Sequence, residues 1–237
     1  ISLLPVGYKV IAWMLQKRLQ TGGVEDRMRD TQYGFRPGRN TAQAVAIARR
    51  MIDAANSASS PGLIALFLDW AKAFDRVRKE PMLHALRRFG VPERLLAFIS
   101  AIYRDRRFTL INKFGNSTTR TQSAGIAQGC PLSPYLFIIV QTVMLHDVGQ
   151  RLRSQSIHST PEPPYVACGD LLHADDTLLL SCSSQKLQRH LDLIVDEGVR
   201  PTQLLRLRLE LLVLLVDDLA PLRDSFLLDG AFFLCLG

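Results

Sequence analysis

Lysine disappears from this chain after Lys186, and its four cysteines, Cys130, Cys168, Cys182 and Cys235, are scattered over 237 residues. None falls in a C-x-x-C pair, and a chain of this length does not need a disulfide scaffold, so the thiols read as reduced and intracellular. No apolar stretch reaches the roughly 18 to 20 residues that a membrane span requires, which excludes a membrane partner from the reading. The start, Ile1 to Pro5, has neither an initiator Met nor the charged-then-apolar order of a secretion signal, so the chain reads as a soluble fragment. There is no internal repeat. What is present is a hydrophobic content of 47%, enough over 237 residues for one large domain or two closely packed ones.

Charge is placed unevenly. Residues Ile1 to Arg120 hold 21 Lys and Arg against 9 Asp and Glu, a net of +12, whereas Thr121 to Gly237 holds 8 against 13, a net of −5. Lys and Arg displace the counterions condensed on phosphates, the main sequence-independent source of nucleic-acid affinity. A basic front half therefore suits a polyanionic partner, and a merely solvated basic face is the alternative.

Apolar spacing predicts a helix over Tyr8 to Gln20 with Ile11, Met14, Leu15 and Leu19 inward, ended by Gly22 and Gly23. Gln32-Tyr33-Gly34-Phe35-Arg36-Pro37-Gly38-Arg39-Asn40 follows as an exposed loop whose glycines, proline and arginines suit a backbone that approaches an anion closely. Asn40 or Thr41 caps a helix running to about Ala55 through Val45, Ala48 and Ile52. After the small-residue linker Ser57 to Gly62, the apolar run Leu63 to Leu68 reads as a buried strand that ends at Asp69. Two helices, Pro81 to Phe89 and Pro92 to about Tyr103, each open on a proline, and Phe108 to Ile111 is a short strand. Ser123 to Pro134 is a loop, with Ser133 placed to cap and Pro134 to open a helix from Tyr135 to about Gly149. That helix is apolar on nearly every side and belongs in the core. A strand from Tyr165 to Cys168 precedes the stretch Leu171 to Leu180, and a helix from Ser184 to Glu197 follows it with Leu187, Leu191, Ile194 and Val195 inward. From about Arg200 the chain turns into a Leu-rich tail in which Leu205 to Leu211 alternates like a strand.

Leu171-Leu172-His173-Ala174-Asp175-Asp176-Thr177-Leu178-Leu179-Leu180 reads as two buried strands joined by a tight turn, with Asp175 and Asp176 at or beside its tip. Two like charges about 4 Å apart repel by roughly 1 kcal/mol in bulk water and about 4 at an effective dielectric of 20, and a bound divalent cation would offset that. Taken alone, aspartates in a turn bond their own backbone and need no ligand, and Asp69 at a strand end is commonly a helix cap. If Leu63 to Leu68 neighbours the hairpin in one sheet, the three carboxylates converge and suit two magnesium ions, hard cations that prefer oxygen. Two such ions about 3.5 to 4 Å apart activate the attacking oxygen and stabilise the leaving one in phosphoryl transfer.

Five ordered blocks sharpen this. Ile1-Ser2-Leu3-Leu4-Pro5, Gln32 to Arg39, Phe67-Leu68-Asp69 with Lys72-Ala73-Phe74-Asp75, Gln128-Gly129-Cys130-Pro131-Leu132-Ser133-Pro134, and Ala174-Asp175-Asp176 resemble the reverse transcriptase domain of non-LTR (LINE-type) retrotransposons, from Ile1 to about Gly198. The resemblance implies an α+β fold, a right-hand polymerase with an antiparallel palm sheet packed on helices over residues 63–198, partial fingers over residues 1–62, and no thumb. It implies a domain truncated at both ends, inactive as a fragment, whose parent is an RNA-directed DNA polymerase acting on an RNA template, a DNA primer and dNTPs. By the same likeness, Asp69, Asp175 and Asp176 hold two Mg2+ ions, Phe74 lies under the incoming sugar, Gln128 and Gly129 form the loop against nucleotide and template, and Arg36 belongs to the fingers. Asp75 is implied to be structural, pairing nearby basic residues. The setting implied is intracellular, with the nucleus as the compartment the family suggests. His173 stands where the family has an aromatic residue, and the lysine-containing block expected after Gly198 is not recognisable, as a frame shift near Arg200 would explain. Two other readings stay open: a group II intron maturase, which shares the palm although Cys130 leans the other way, and a decayed copy that only binds RNA.

Overall fold

Period-two burial along one strand sets the architecture. The side chains of β1 (Leu63–Leu68) alternate between two apolar layers, as a pleated backbone requires. Ile64, Leu66 and Leu68 face the main core, shared with α6 (Ser133–Ser154) and α7 (Ser184–Val199). Leu63 and Ala65 face a smaller core with Met51 and Ala55 of α2 (Thr41–Ala55). The computed structural model describes residues 4–56, 62–70, 72–111, 114–115, 117–154, 162–199, 212–216 and 232–235.

The strands form one five-stranded sheet in the order β4 (Asp170–His173), β5 (Asp176–Ser181), β1, β6 (Leu212–Val216) and β7 (Phe232–Cys235). The first four are antiparallel neighbours, and β7 joins β6 in parallel. The Leu-rich tail thus adds β6 beside β1 and β7 beyond it, although Leu205 to Leu211, where alternation predicts a strand, lies outside the described residues, as does most of the Ser57 to Gly62 linker. A separate two-stranded ribbon pairs β2 (Arg107–Ile111) with β3 (Ser117–Thr121). Its second strand, Ser-Thr-Thr-Arg-Thr, has no apolar alternation to announce it.

Helix α6 occupies the centre, with buried side chains all around it from Ser133 and Tyr135 to Val148, as its uniformly apolar sequence predicts. Each fully buried Leu, Ile or Phe contributes about 1.5–3 kcal/mol, so among the described elements this helix is the largest source of hydrophobic stabilisation. Four expectations need correcting. In α1 (Val6–Thr21) the inward residues are Ala12, Leu15 and Leu19, while Ile11 and Met14 are exposed, because the small Ala12 lets the helix approach along a stripe rotated from the predicted one. Pro81 is the third residue of α4 (Lys79–Arg88), and Pro92 caps α5 (Glu93–Ile102) from outside, both places where the missing N–H costs nothing. Ser133 is already within α6 rather than before it. Tyr165 to Cys168 forms no strand: Tyr165 is anchored through its hydroxyl, which donates to the Gly62 carbonyl at 3.1 Å, instead of through a ladder. As expected, β1 spans Leu63 to Leu68 and α2 opens on an Asn40–Gln43 capping box, although Val45 on its apolar pattern is exposed. Among the described residues no helix is long and apolar enough to cross a membrane.

Truncating Leu136, which is fully buried, to Ala should lower unfolding free energy by about 2–5 kcal/mol, whereas Val45→Ala on the exposed side of α2 should change it by less than about 0.5. Urea denaturation midpoints check both, and equal effects would refute the assignment of α6 to the core.

Candidate functional site

The strand ladder decides which carboxylates meet. Leu68 lies opposite Thr177 in the antiparallel β1–β5 pair, so Asp69, one residue on, comes level with Asp176, one residue back. His173 and Asp176 close the β4–β5 hairpin, leaving Ala174 and Asp175 as its two turn residues. Ala174 adopts φ 59° at the first turn position, where glycine is the usual residue. Asp69 and Asp176 are exposed and Asp175 is half-buried. Burial raises the Asp175 carboxyl above the usual carboxylate range, and the negative charges of Asp176 and Asp69 add to it, against a local backbone hydrogen bond and His173. The three acids therefore share one electrostatic neighbourhood.

Among the described residues none of the three acids forms an ion pair. Nor, among those residues, does any group of three His, Cys, Asp or Glu stand closely enough grouped to hold a metal ion with the side chains as they are placed. The donor set itself, hard carboxylate oxygens that repel one another and lack a basic partner, fits a divalent cation of the magnesium type. Beside it opens a cleft of about 660 Å³, walled by Val45, Ala48 and Ile52 of α2 and by Phe67, Leu171 and Leu178 of the sheet, with Asp69 and Asp176 in its lining.

Phe74 sits on the short helix α3 (Ala73–Arg76) that turns the chain out of β1. Its half-buried ring stacks on Phe137 of α6, with centroids 5.1 Å apart, and meets Phe35 edge-on at 6.4 Å. The loop carrying Gln128 and Gly129 is laced to this helix: Ile126 N–H donates to the Phe74 carbonyl at 2.8 Å and Gly125 N–H to that of Val77 at 2.7 Å. Gly125 has φ 96°, and a side chain there would press on the Asp75 backbone at 3.0–3.1 Å, so only glycine allows the loop this close. Gln128 and Gly129 are exposed at the loop's end, and Gln128 donates a long 3.5 Å bond to Asp75. Asp75, expected to pair a basic residue, accepts this bond and so ties the loop to α3.

Arg36 departs from the expectation of an anion-binding arginine. Its guanidinium bonds Glu25 at 3.1 Å and the carbonyls of Glu25 and Arg29, both at 2.8 Å, and its side chain is only 8% exposed. Glu25 also accepts from the Tyr135 hydroxyl, whose pKa burial and this bond push up to about 12. The loop sequence Arg-Pro-Gly-Arg suggests exposure; the neighbouring acid turns the first arginine inward.

The sequence over residues 1–201 matches the family described as reverse transcriptase (RNA-dependent DNA polymerase). The chain belongs to this family. Among curated proteins, this reverse transcriptase chain is 25% identical over 80% of its length to a Transposon TX1 149 kDa protein of Xenopus laevis, covering 14% of that protein. It is 37% identical over 48% of its length to the Pol polyprotein of a type-1 retrotransposable element R2 from Popillia japonica, covering 18% of it. It thus spans less than a fifth of these relatives. Telomerase structures from Candida tropicalis and Candida albicans superpose with TM-scores of 0.58 and 0.55, over 90% and 84% of this chain and 41% and 33% of theirs, at 11% and 13% identity. At that identity the likeness concerns the fold, a partial right-hand polymerase of helices on an antiparallel sheet.

Roles for Gln141, Thr177 and Asp170 beside the three acids escaped the sequence reading, and Gln32, expected in an exposed loop, is buried. Gln32 and Gln141 are fully buried and bonded to each other at 2.8 Å, and Thr177 accepts from Trp70 Nε1 at 3.0 Å and from Gln141 Nε2 at 3.4 Å. The available signal was Gln141 itself, a lone amide in the apolar run of α6, which demands a buried partner. Asp170, at the start of β4, is likewise buried against Arg29 and Thr31. His173 bonds Thr41 at 2.8 Å, tying the hairpin to α2.

Because the folded-state pKa of Asp175 is raised, its charged form costs stability above that pKa, and the cost vanishes below the unfolded value near 4. Asp175→Asn should therefore raise the urea midpoint in EDTA at pH 7, and the gain should disappear as pH falls below about 4. A destabilised variant at pH 7 would contradict the repulsive environment.

Proposed function

We propose that this chain is the palm and partial fingers of an RNA-directed DNA polymerase that adds dNTPs to a DNA primer on an RNA template. The observation that carries the reading is the alignment of Asp69 with Asp176 beside Asp175, in a chain of the reverse transcriptase family. On this reading Asp69, Asp175 and Asp176 hold two Mg2+ ions, which when bound lower the barrier to phosphoryl transfer by stabilising the attacking and leaving oxygens. Asp69 and Asp176 offer exposed oxygens from two adjacent strands, and Asp175 presents its carboxylate from the turn. The Phe74 ring, backed by Phe137, forms the floor under the incoming sugar and excludes a 2′-hydroxyl. Gln128 and Gly129 meet the nucleotide from the loop that Gly125 presses against α3. Arg36 serves the fingers from within, holding the segment before α2 onto Glu25. Residues 1–62 form the fingers part and 63–198 the palm. The basic front half tracks the template phosphates.

The test is primer extension on an RNA template with Mg2+, using the chain alone and within a polypeptide of its relatives' length. Asp175→Asn should lower extension by at least about a hundredfold while leaving RNA affinity within about twofold. RNA binding without extension in either form would favour the decayed-copy reading. In the active form, Phe74→Val should raise ribonucleotide over deoxynucleotide incorporation by about tenfold or more, the equivalent of about 1.4 kcal/mol of discrimination. An unchanged ratio with a slower overall rate would leave Phe74 as a packing residue. RNA affinity should fall steeply between 50 and 200 mM salt, by about a thousandfold if six or more phosphates are contacted. A flat response would mean that the basic half is only solvated surface.

A further inference from the structure

The two glutamines buried beneath the hairpin do more than fill the core. We infer that Gln32 is a positioning residue that fixes the Ala174 turn and thereby aims Asp175, an inference that rests on the metal-site reading above. The side-chain amide of Gln32 is fully used. Its Oε1 accepts from the backbone N–H groups of Gly34 at 2.7 Å and Ala174 at 3.0 Å, and its Nε2 donates to Gln141 Oε1 at 2.8 Å and to the Ala174 carbonyl at 3.2 Å. An amide side chain has two donors and two acceptor sites, so all four are occupied, and exchanging its oxygen and nitrogen would set NH2 against two N–H groups. The orientation is therefore locked.

Gln32 grips both the N–H and the carbonyl of the one residue that holds a left-handed backbone in this turn. For an alanine that left-handed conformation is unfavourable, and the two bonds to Gln32 offset it. The surrounding chain reinforces the grip. Tyr33 N–H donates to the Leu172 carbonyl at 2.7 Å and Leu172 N–H to that of Thr31 at 2.9 Å, so the segment around Gln32 adds itself in parallel to the edge of β4. Gly34 lies against Ala174 so closely that a Cβ there would collide with the Ala174 backbone nitrogen. On the other side of the turn, the Thr177 hydroxyl donates to the Asp175 carbonyl at 3.4 Å. Asp175 thus projects from a turn held at the residue before it by the fingers segment, and through Gln141 by the central helix.

The test uses the whole 237-residue chain. Gln32→Met keeps the side chain's length but removes all four bonds, and Gln32→Glu keeps only the acceptors. Two measurements are made: hydrogen exchange at the amides of Asp175, Asp176 and Thr177, which Gln32 does not itself bind, and Mn2+ affinity by paramagnetic resonance. Expected for Gln32→Met is exchange about tenfold faster at those three amides, with β1 and α6 unchanged, and Mn2+ binding weakened about tenfold. If that variant does not fold, Gln32→Glu should show the same tip-confined acceleration. Wild-type exchange at the tip, or acceleration spread equally over β1 and α6, overturns the inference, the second by making Gln32 merely a core residue. If wild-type chain binds Mn2+ no better than Asp175→Asn, the metal reading has failed, and the exchange data alone decide whether Gln32 holds the turn.

Discussion

The antiparallel ladder between β1 and β5 runs from Ile64 opposite Ser181 to Leu68 opposite Thr177, and every feature of the candidate site inherits its register. Successive side chains point to opposite faces, so a slip of one residue would turn Leu179 out of the main core and carry Thr177 away from Trp70 and Gln141. The same slip would move Asp176 off the level of Asp69. Apolar burial on both faces makes such a slip costly, and the position of the acids follows from packing that has no chemistry of its own.

Burial alone tolerates alternatives, since one leucine replaces another at modest cost. The buried polar groups do not. Gln32, Gln141 and Thr177 would each cost about 1–3 kcal/mol if left without a partner, and only this register supplies all of them. Thr177 uses its hydroxyl in every capacity, accepting from Trp70 and Gln141 and donating to the Asp175 carbonyl. Apolar layers thus stabilise the sheet, and the polar network selects one arrangement of it, next to the carboxylates where precision matters most.

Much of this was legible in the sequence, and the failures have physical causes. The run Leu63 to Leu68, the uniformly apolar helix from Tyr135 and the Asp-Asp turn were readable because each is a dense, periodic signal. The five blocks singled out the acids and Phe74 because each sets particular residue types at close, fixed spacing. What could not be read was tertiary. Arg36 looks like a free cation until Glu25 is brought beside it, and no local pattern reports that 11-residue separation as a contact. The inward face of α1 was misjudged because Ala12 adds little hydrophobic weight to a pattern while allowing the closest approach. The strand Ser117 to Thr121 carries no apolar alternation because all five of its residues are exposed.

In the role proposed for it, Phe74 is both a packing residue and a contact to substrate. Its ring stacks on Phe137, a fully buried member of α6, so it is part of the core on one side. Its side chain nonetheless stays half-exposed and meets Phe35 edge-on. A residue that discriminates by steric exclusion must not yield when pressed, and a freely rotating exposed ring would yield. Stacking on a residue that cannot move supplies the stiffness, since a close-packed interior leaves no space into which the ring could retreat. The lacing of Ile126 to the Phe74 carbonyl extends the same rigidity to the loop, so ring and loop share one backbone anchor. In the proposed role, packing against α6 supplies the stiffness that steric exclusion by Phe74 requires.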